Sequence, residues 1–380
     1  MSSIEAKSIT PYVKDQRIRA YLDAQKSEHG RPWVLAFPVL YPREVLTALD
    51  VNVREVWSDA SGGLVTDPGK LQGYLCPTVR GIQAVLGRAQ HGASVAIVPH
   101  TCDSMQGLGM IARATPEWGV RVITFRHPRG TDRPAARQFL RRELEAFIAD
   151  LQDALGRTLE PSKLAQAIDL HRKVERALAN VLAHRAQLAM SDADLYAVLR
   201  SIEWMHPSDL LAELGKIEAQ IEPGAPRRPG VGVVMSGMTP EPEGLFETLQ
   251  DVGAYVAGDD YAAIGRRIPA DEGPMDGDPI GAVVERLLLM PPCPTRASDS
   301  SRRIARLRQL AQDTGARGVV LHTVKFCEPE LFDVPIVRRA LEQSGLKVLH
   351  LETELEPRVT GQIATRLEAF VEMLGNGRSA

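Results

Sequence analysis

Residues 94–113, SVAIVPHTCDSMQGLGMIAR, contain the pattern that decides the fold. A continuous apolar run ends at Pro99 and an amphipathic helical pattern begins near Asp103, with Cys102 between them. A short apolar run of this kind, bounded by a turn, is typical of a strand buried on both faces of a parallel sheet. The carboxyl ends of such strands are where open α/β sheets bind their ligands, so Cys102 lies at a position suited to function.

Residues 318–341, GVVLHTVKFCEPELFDVPIVRRAL, repeat this arrangement around Cys327. The following helix carries Glu328 and Glu330 in its first turn. Cys76, in GYLCPTVRGIQAVL, also lies just ahead of an amphipathic helical pattern.

Apolar runs rich in Val and Ile alternate with helical patterns in two regions of the chain, which indicates parallel α/β units. The predicted strands are Trp33–Phe37, Val53–Trp57, Ser94–Pro99 and Val120–Phe125 in the first region, and Gly230–Met235, Ala254–Gly258, Gly318–Val324 and Lys347–Leu351 in the second. The fold class expected is α/β, with two Rossmann-like parallel-sheet domains and a helical insert. The two regions could be a distant duplication, which the sequence alone leaves open.

Three domains are predicted from changes in pattern along the chain. Residues 1–133 form a first α/β domain with an N-terminal helical arm, 134–228 a helical domain and 229–380 a second α/β domain. Pro134 suits the first turn of a helix, where a missing N–H costs nothing. The segment 222–230, EPGAPRRPG, is typical of a hinge or domain boundary, and 266–279, RRIPADEGPMDGDP, of an exposed loop near a site.

The composition and net charge of the chain argue against several classes of function. The chain has 380 residues, 44% hydrophobic and 24% charged, with a net charge of −3. This charge gives no basic field for nucleic acid. The first 30 residues lack the apolar core of a signal peptide, and no run approaches a transmembrane helix, so a cytoplasmic protein without membrane contact is expected. The sequence contains no GxxxxGK[ST] motif, which argues against ATP hydrolysis by this chain.

Four cysteines without an export signal fit metal or catalytic use better than disulfides. Cys76, Cys102 and Cys327 each precede a helix, and a helix N-terminus lowers the pKa of a thiol and favours the thiolate that binds metal. Their separations provide no local chelate, and free cysteines are often simply buried, so spacing alone leaves both interpretations open. Cys293, between prolines in MPPCPTR, is expected to be structural.

Ordered blocks of sequence resemble the iron-sulfur subunits of 2-hydroxyacyl-CoA dehydratases and ATP-dependent benzoyl-CoA reductases, from about Trp33 to Leu374. The blocks are YPREVLTAL (41–49), LCPTVRGI (75–82), VPHTCDSMQGL (98–108), VVMSGM (233–238), AYVAGDDYAAIGRR (254–267) and KFCEPELFDVPIVRRALEQSGLKVLHLETE (325–354). Together they are specific, whereas any one alone would not be.

The resemblance implies that Cys76, Cys102 and Cys327 bind a 4Fe-4S cluster at the domain junction, with one iron free of protein thiolate. It implies one-electron reduction of a CoA thioester, leading to dehydration of a 2-hydroxyacyl-CoA or to ring reduction of an aryl-CoA. The implied partners are a homologous second subunit, an ATP-dependent activator with its own iron-sulfur cluster, and the acyl-CoA substrate. An alternative is an electron-relay subunit of such a complex that binds no substrate.

Further candidate residues each have two interpretations. Glu44 could meet substrate or stabilise a helix dipole, and the second is favoured. His100 could donate a proton near Cys102 or be a loop histidine satisfied by backbone. Asp259 and Asp260 are expected to cap a turn rather than contact cofactor. Arg266 and Arg267 could bind coenzyme A phosphates or be solvated surface.

Overall fold

Two four-stranded parallel sheets organise the computed structural model, which describes residues 11–57, 72–88, 92–130, 133–222, 224–242, 244–273, 277–355 and 359–375. The strands are β1 (Trp33–Ala36), β2 (Asn52–Glu55), β3 (Val95–His100), β4 (Arg121–Arg126), β5 (Val231–Gly237), β6 (Ala254–Tyr261), β7 (Gly318–Val324) and β8 (Lys347–Thr353). All eight predicted strands are confirmed, with ends that shift by up to three residues. The α/β fold class is also confirmed.

Thirteen α-helices surround the sheets in the described residues. They are α1 (Pro11–His29), α2 (Arg43–Ala48), α3 (Pro77–Leu86), α4 (Asp103–Arg113), α5 (Pro134–Leu155), α6 (Pro161–His184), α7 (Asp192–Leu199), α8 (Pro207–Glu218), α9 (Gly244–Asp251), α10 (Pro279–Leu289), α11 (Ser300–Thr314), α12 (Glu328–Gln343) and α13 (Gly361–Gly375). As predicted, Pro134 opens a helix, and α5 to α8 fill the stretch between the two sheets.

The two sheets share one topology. The first has the strand order β2-β1-β3-β4 and the second the order β6-β5-β7-β8, so that both follow the doubly wound order 2-1-3-4. In this order the connections that leave the first and the third strand run toward opposite edges of the sheet. This creates a crevice between the carboxyl ends of these two neighbouring strands. The shared order supports the duplication that the sequence left open.

Apolar packing joins the two sheets. One core cluster contains Leu35 and Phe37 from the first sheet, Val233 and Val320 from the second, and Leu178 from the helical stretch. No helix in the described parts of the chain is long and apolar enough to cross a membrane.

The segment 222–230 has neither helix nor strand in its described residues, and its role as a hinge or domain boundary stays a prediction. The prediction of an exposed loop at 266–279 is wrong for its first two residues, because Arg266 and Arg267 form part of a buried 3₁₀ turn, Gly265–Arg267. From Ala270 to Glu272 the chain is exposed, as expected, and residues 274–276 lie outside the described residues.

Candidate metal centre

The three cysteines of the predicted cluster occupy equivalent places in local structure. Cys76, Cys102 and Cys327 are the residues immediately before α3, α4 and α12, at the N-cap position. Cys102 follows β3 and Cys327 follows β7, the third strand of each sheet, so both lie at the crevice that the strand order creates. The prediction that each cysteine starts a helix is confirmed.

The three thiols influence one another electrostatically. Charge on Cys76 raises the pKa of Cys102, and charges on both Cys76 and Cys102 raise the pKa of Cys327. Coulomb interactions of this kind weaken with distance and solvent, so the three thiols lie within electrostatic reach of one another. The fourth cysteine, Cys293, is buried, and its sulfur lies 3.0 Å from Thr295 Oγ1.

The pKa values of the three thiols correct the sequence-based expectation. We expected the helix N-termini to lower them, yet burial is the largest effect and raises the pKa of Cys76, of Cys327 and of Cys102, the last to about 11. Backbone N–H groups of the first helical turns lower these pKa values, but they form no regular capping hydrogen bond with the sulfur atoms. Desolvation therefore outweighs the helix dipole here.

The described residues contain no group of three or more His, Cys, Asp and Glu side chains arranged to hold a metal ion. This finding concerns sites for a single ion. The thiolates that hold an iron-sulfur cubane bind different iron atoms, and so must stand further apart than the ligands of one ion. Burial and mutual repulsion oppose the ionisation of these three neighbouring thiols. Cationic iron would stabilise them as thiolates, so they form a suitable donor set for it.

His100 is the last residue of β3, two residues from Cys102, and is partly exposed. Burial and the neighbouring Arg126 and Arg113 lower the pKa of its ring. No hydrogen bond to this ring is present in the described part of the chain, so both interpretations of His100 stay predictions.

Glu44 lies in the first turn of α2, as the dipole interpretation requires, and its side chain is fully buried. Its carboxylate forms an ion pair with Arg286 at 2.9 Å, although the geometry is too poor for a hydrogen bond. Arg286 also pairs with Glu175 of α6. Glu44 is thus engaged within the protein.

A cavity of about 40 Å³ lies between the sheets and the helical stretch. The residues that line it include Arg43, His171, Glu175, Arg286 and Cys293. Its lining does not include Cys76, Cys102 or Cys327. A cavity of this size holds a few water molecules.

Asp259 and Asp260 are buried in β6. Asp259 accepts hydrogen bonds from the backbone N–H groups of Tyr261, at 3.0 Å, and Gly265, at 2.9 Å, so it satisfies the following turn as predicted. Asp260 does not cap. It pairs with Arg266 at 3.0 Å and with Arg306 at 2.8 Å, and these guanidinium groups help to lower its pKa to about 2.

Neither Arg266 nor Arg267 is solvated surface, because both are buried and paired with carboxylates. Arg266 contacts Asp260 and, at 2.8 Å, Glu330. Arg267 pairs with Glu55, the last residue of β2. These contacts engage both guanidinium groups within the protein.

Sequence reasoning did not identify two residues of this buried network, Glu330 and Arg303. In the sequence, Glu330 is recognisable only as a charge at the start of a helix. Arg303 lies on the same stripe of α11 as buried Leu307 and Ala311, at i, i+4 and i+8. A charged residue within an apolar helical stripe is the signal that could have identified it.

The comparisons with known proteins cover almost the whole chain. Residues 38–374 match the family described as 2-hydroxyglutaryl-CoA dehydratase, D-component. The beta subunit of lactoyl-CoA dehydratase from Anaerotignum propionicum is 28% identical over 98% of this chain and 100% of its own length. The beta subunit of (R)-phenyllactyl-CoA dehydratase from Clostridium sporogenes is 23% identical over 94% of this chain and 95% of its own length.

The beta subunit of (R)-2-hydroxyglutaryl-CoA dehydratase from Acidaminococcus fermentans is 22% identical over 92% of this chain and 94% of its own length. These three relatives are similar to the chain over nearly their full lengths, and each is a dehydratase subunit. With the family match and the two doubly wound sheets, they show that the chain belongs to the 2-hydroxyglutaryl-CoA dehydratase D-component family, within the 2-hydroxyacyl-CoA dehydratases.

Proposed function

We propose that this chain is the 4Fe-4S subunit of an ATP-activated 2-hydroxyacyl-CoA dehydratase complex, with Cys76, Cys102 and Cys327 as the cluster ligands. The observation that carries the proposal is the electrostatic coupling of these three thiols at the starts of three helices. The cluster would supply a low-potential electron to the thioester of the substrate. Dehydration is favoured over ring reduction because the relatives described above are dehydratase subunits.

The residues around the three cysteines suit an enclosed redox site. Cys327 is buried, and Cys76 and Cys102 are partly buried among apolar side chains of the main core cluster. Low solvent access is one of the factors that set cluster potential. Burial raises the pKa of the Cys76 thiol, and the nearby charge of Arg80, in the first turn after Cys76, opposes this effect.

Large exposed apolar side chains lie near this site and support the proposal of a surface that contacts a partner. Tyr74, Phe326 and Phe332 lie within five residues of Cys76 or Cys327 and are 63%, 37% and 77% exposed. Exposed apolar patches are typical of contact surfaces. We include a homologous second subunit as the partner, together with an ATP-hydrolysing activator that carries its own cluster.

A second candidate function is an electron-relay subunit that binds no substrate. Glu44, the carboxylate considered for substrate, is fully buried and paired with Arg286, which favours this role. Titration of the isolated subunit with an acyl-CoA would separate the two functions. Saturable binding supports the catalytic role, whereas binding only by the partner subunit supports the relay.

Anaerobic purification followed by iron and sulfide analysis tests the cluster. We expect about four of each per chain. Replacing Cys76, Cys102 or Cys327 by serine should remove most of the iron, whereas Cys293→Ser, the matched control, should retain it. Fewer than about two irons per wild-type chain would contradict the proposal.

Activity requires the assembled system. The complex with its second subunit, activator and ATP should dehydrate at least one member of a panel of 2-hydroxyacyl-CoA thioesters. Reduction of an aryl-CoA in the same assay, without any dehydration, would reassign the reaction to the reductase type.

A further inference from the structure

Glu330 is a fully buried carboxylate in the first turn of α12, three residues after Cys327. Each of its oxygens has its own guanidinium partner. Arg266 Nη1 lies 2.8 Å from Oε1, and Arg303 Nη2 lies 2.6 Å from Oε2. An exposed carboxylate could interact equally well with the helix dipole, so the dipole does not explain why Glu330 is buried.

The two arginines connect this helical turn to the ends of two strands. Arg266 also reaches Asp260 of β6 at 3.0 Å, and Arg303 comes from α11. Both donate to Ser236 Oγ of β5, at 3.2 Å and 3.1 Å. The first turn of α12 is therefore held from three other elements.

The network also has a balanced charge. Its three carboxylates, Glu330, Asp260 and Asp333, face three guanidinium groups, Arg266, Arg303 and Arg306. Loss of the Glu330 charge alone would leave one excess positive charge beneath the start of α12.

Glu330 and Cys327 belong to the same turn at the start of α12. The N–H of Leu331, the residue after Glu330, donates to the carbonyl oxygen of Cys327 at 3.0 Å. The position of this turn, and so of Cys327, depends on the contacts of Glu330 with Arg266 and Arg303.

We propose that Glu330, held by Arg266 and Arg303, is a positioning residue that orients Cys327 toward the cluster and keeps the potential of the cluster low. This inference rests on the proposed function. Negative charge near a cluster favours its oxidised state, and the net charge and the hydrogen bonds to sulfur set the potential.

The test compares Glu330→Gln with Asp192→Asn in the reconstituted protein. Asp192 is a matched control because it is also buried and held by two arginines, Arg185 at 3.0 Å and Arg228 at 2.9 Å. It accepts a hydrogen bond from the N–H of Val256, near the amino end of β6, whereas Glu330 lies beyond the carboxyl end of β7.

Both variants should lower the melting temperature. Only Glu330→Gln should shift the midpoint potential of the cluster to a more positive value and change the electron paramagnetic resonance spectrum of the reduced cluster. Glu330→Asp, which keeps the charge, should restore the potential toward that of the wild type. A wild-type potential and spectrum in Glu330→Gln would overturn the inference and leave the proposed function standing.

If Glu330→Gln does not fold, a double variant decides the question. Replacing both Arg266 and Glu330 by methionine leaves Asp260 with Arg306 and Arg303 with Asp333. Paired buried charges can often be replaced by apolar side chains without loss of the fold. This variant should release iron to a chelator faster than Asp192→Asn, and an equal rate would overturn the inference. A wild-type protein that holds no cluster would refute the proposed function and this inference with it.

Discussion

Arg267, in the turn after β6, holds the carboxylate of Glu55 at the end of β2, with Nη1 3.2 Å from Oε2, and so joins the two sheets through residues 212 positions apart. Glu55 also accepts hydrogen bonds from Tyr41 at 2.8 Å and Trp57 at 2.8 Å. Both members of the pair are buried, and the arginine contacts lower the pKa of Glu55 despite the opposing effect of burial. This pair links the parts of the chain that carry Cys76 and Cys327.

Replacing Glu55 by glutamine should destabilise the protein by about 3 kcal/mol, because it leaves the buried Arg267 without its counter-charge. Urea unfolding measures the change. The control is Glu342→Gln, which removes an exposed pair with Arg338 and should change stability by no more than about 0.5 kcal/mol. Equal stabilities of the two variants would contradict the importance assigned to the pair.

The strands were predictable because buried parallel strands appear in the sequence as continuous apolar runs. Gly318–Val324 was predicted with the same ends that the structure has. The environments of Arg266 and Arg267 were not predictable, since their partners Glu330 and Glu55 lie 64 and 212 residues away and leave no local pattern. A pair of arginines beside prolines and glycines looks like exposed loop until tertiary contacts are known.

The candidate site was predictable only in part for a related reason. The start of a helix after each cysteine follows from local pattern, but the proposed convergence of Cys76, Cys102 and Cys327 depends on how distant segments pack. The resemblance to a family, rather than spacing, suggested it. The direction of the thiol pKa shifts was wrong because burial, a tertiary property, exceeds the helix dipole, a local one.

Acidification should weaken the fold through His322. This residue is buried in β7 between the Tyr261 hydroxyl, 2.9 Å from Nδ1, and Thr353 Oγ1, 2.7 Å from Nε2, and burial lowers its pKa to about 4. The unfolded chain, in which the histidine pKa is about 6.5, binds the proton first as pH falls, so stability is lost between about pH 6.5 and 4. From pH 7 to 5 this amounts to about 2 kcal/mol.

The measurement is urea unfolding of the wild type and of His322→Gln at pH 7 and 5. The variant is less stable at pH 7, because its hydrogen bonds to Tyr261 and Thr353 are altered, but its stability should fall less on acidification. A pH dependence identical to that of the wild type would contradict the assignment to His322.

Arg286 should contribute strongly to the stability of the fold, because it supplies the positive charge between Glu44 and Glu175. Arg286→Met leaves two buried carboxylates without this positive charge, which should lower the free energy of unfolding by about 3–5 kcal/mol. Because burial raises the pKa of Glu175, mild acid lets that group take up a proton, and the deficit relative to the wild type should shrink at pH 5. Thermal unfolding at pH 7 and 5 measures both effects, and a deficit that grows in acid would argue against this account.

Gly237, at the end of β5, should not tolerate a side chain. It pairs with His322 of β7, and a Cβ on Gly237 would lie 2.1 Å from the His322 carbonyl oxygen. Since this atom belongs to the backbone, Gly237→Ala must move the two strands apart just before the segment that carries Cys327. We expect a loss of about 1–3 kcal/mol, measured by urea unfolding.

Gly215→Ala is the control, because Gly215 lies within α8 and a Cβ there would meet no atom within 4 Å. This change should stabilise the protein by about 0.5–1 kcal/mol, since alanine favours the helix. The two substitutions add the same methyl group, so opposite signs would trace the effect of Gly237→Ala to the close approach of β5 and β7. A Gly237→Ala variant as stable as the wild type would show that the strand ends can separate without cost.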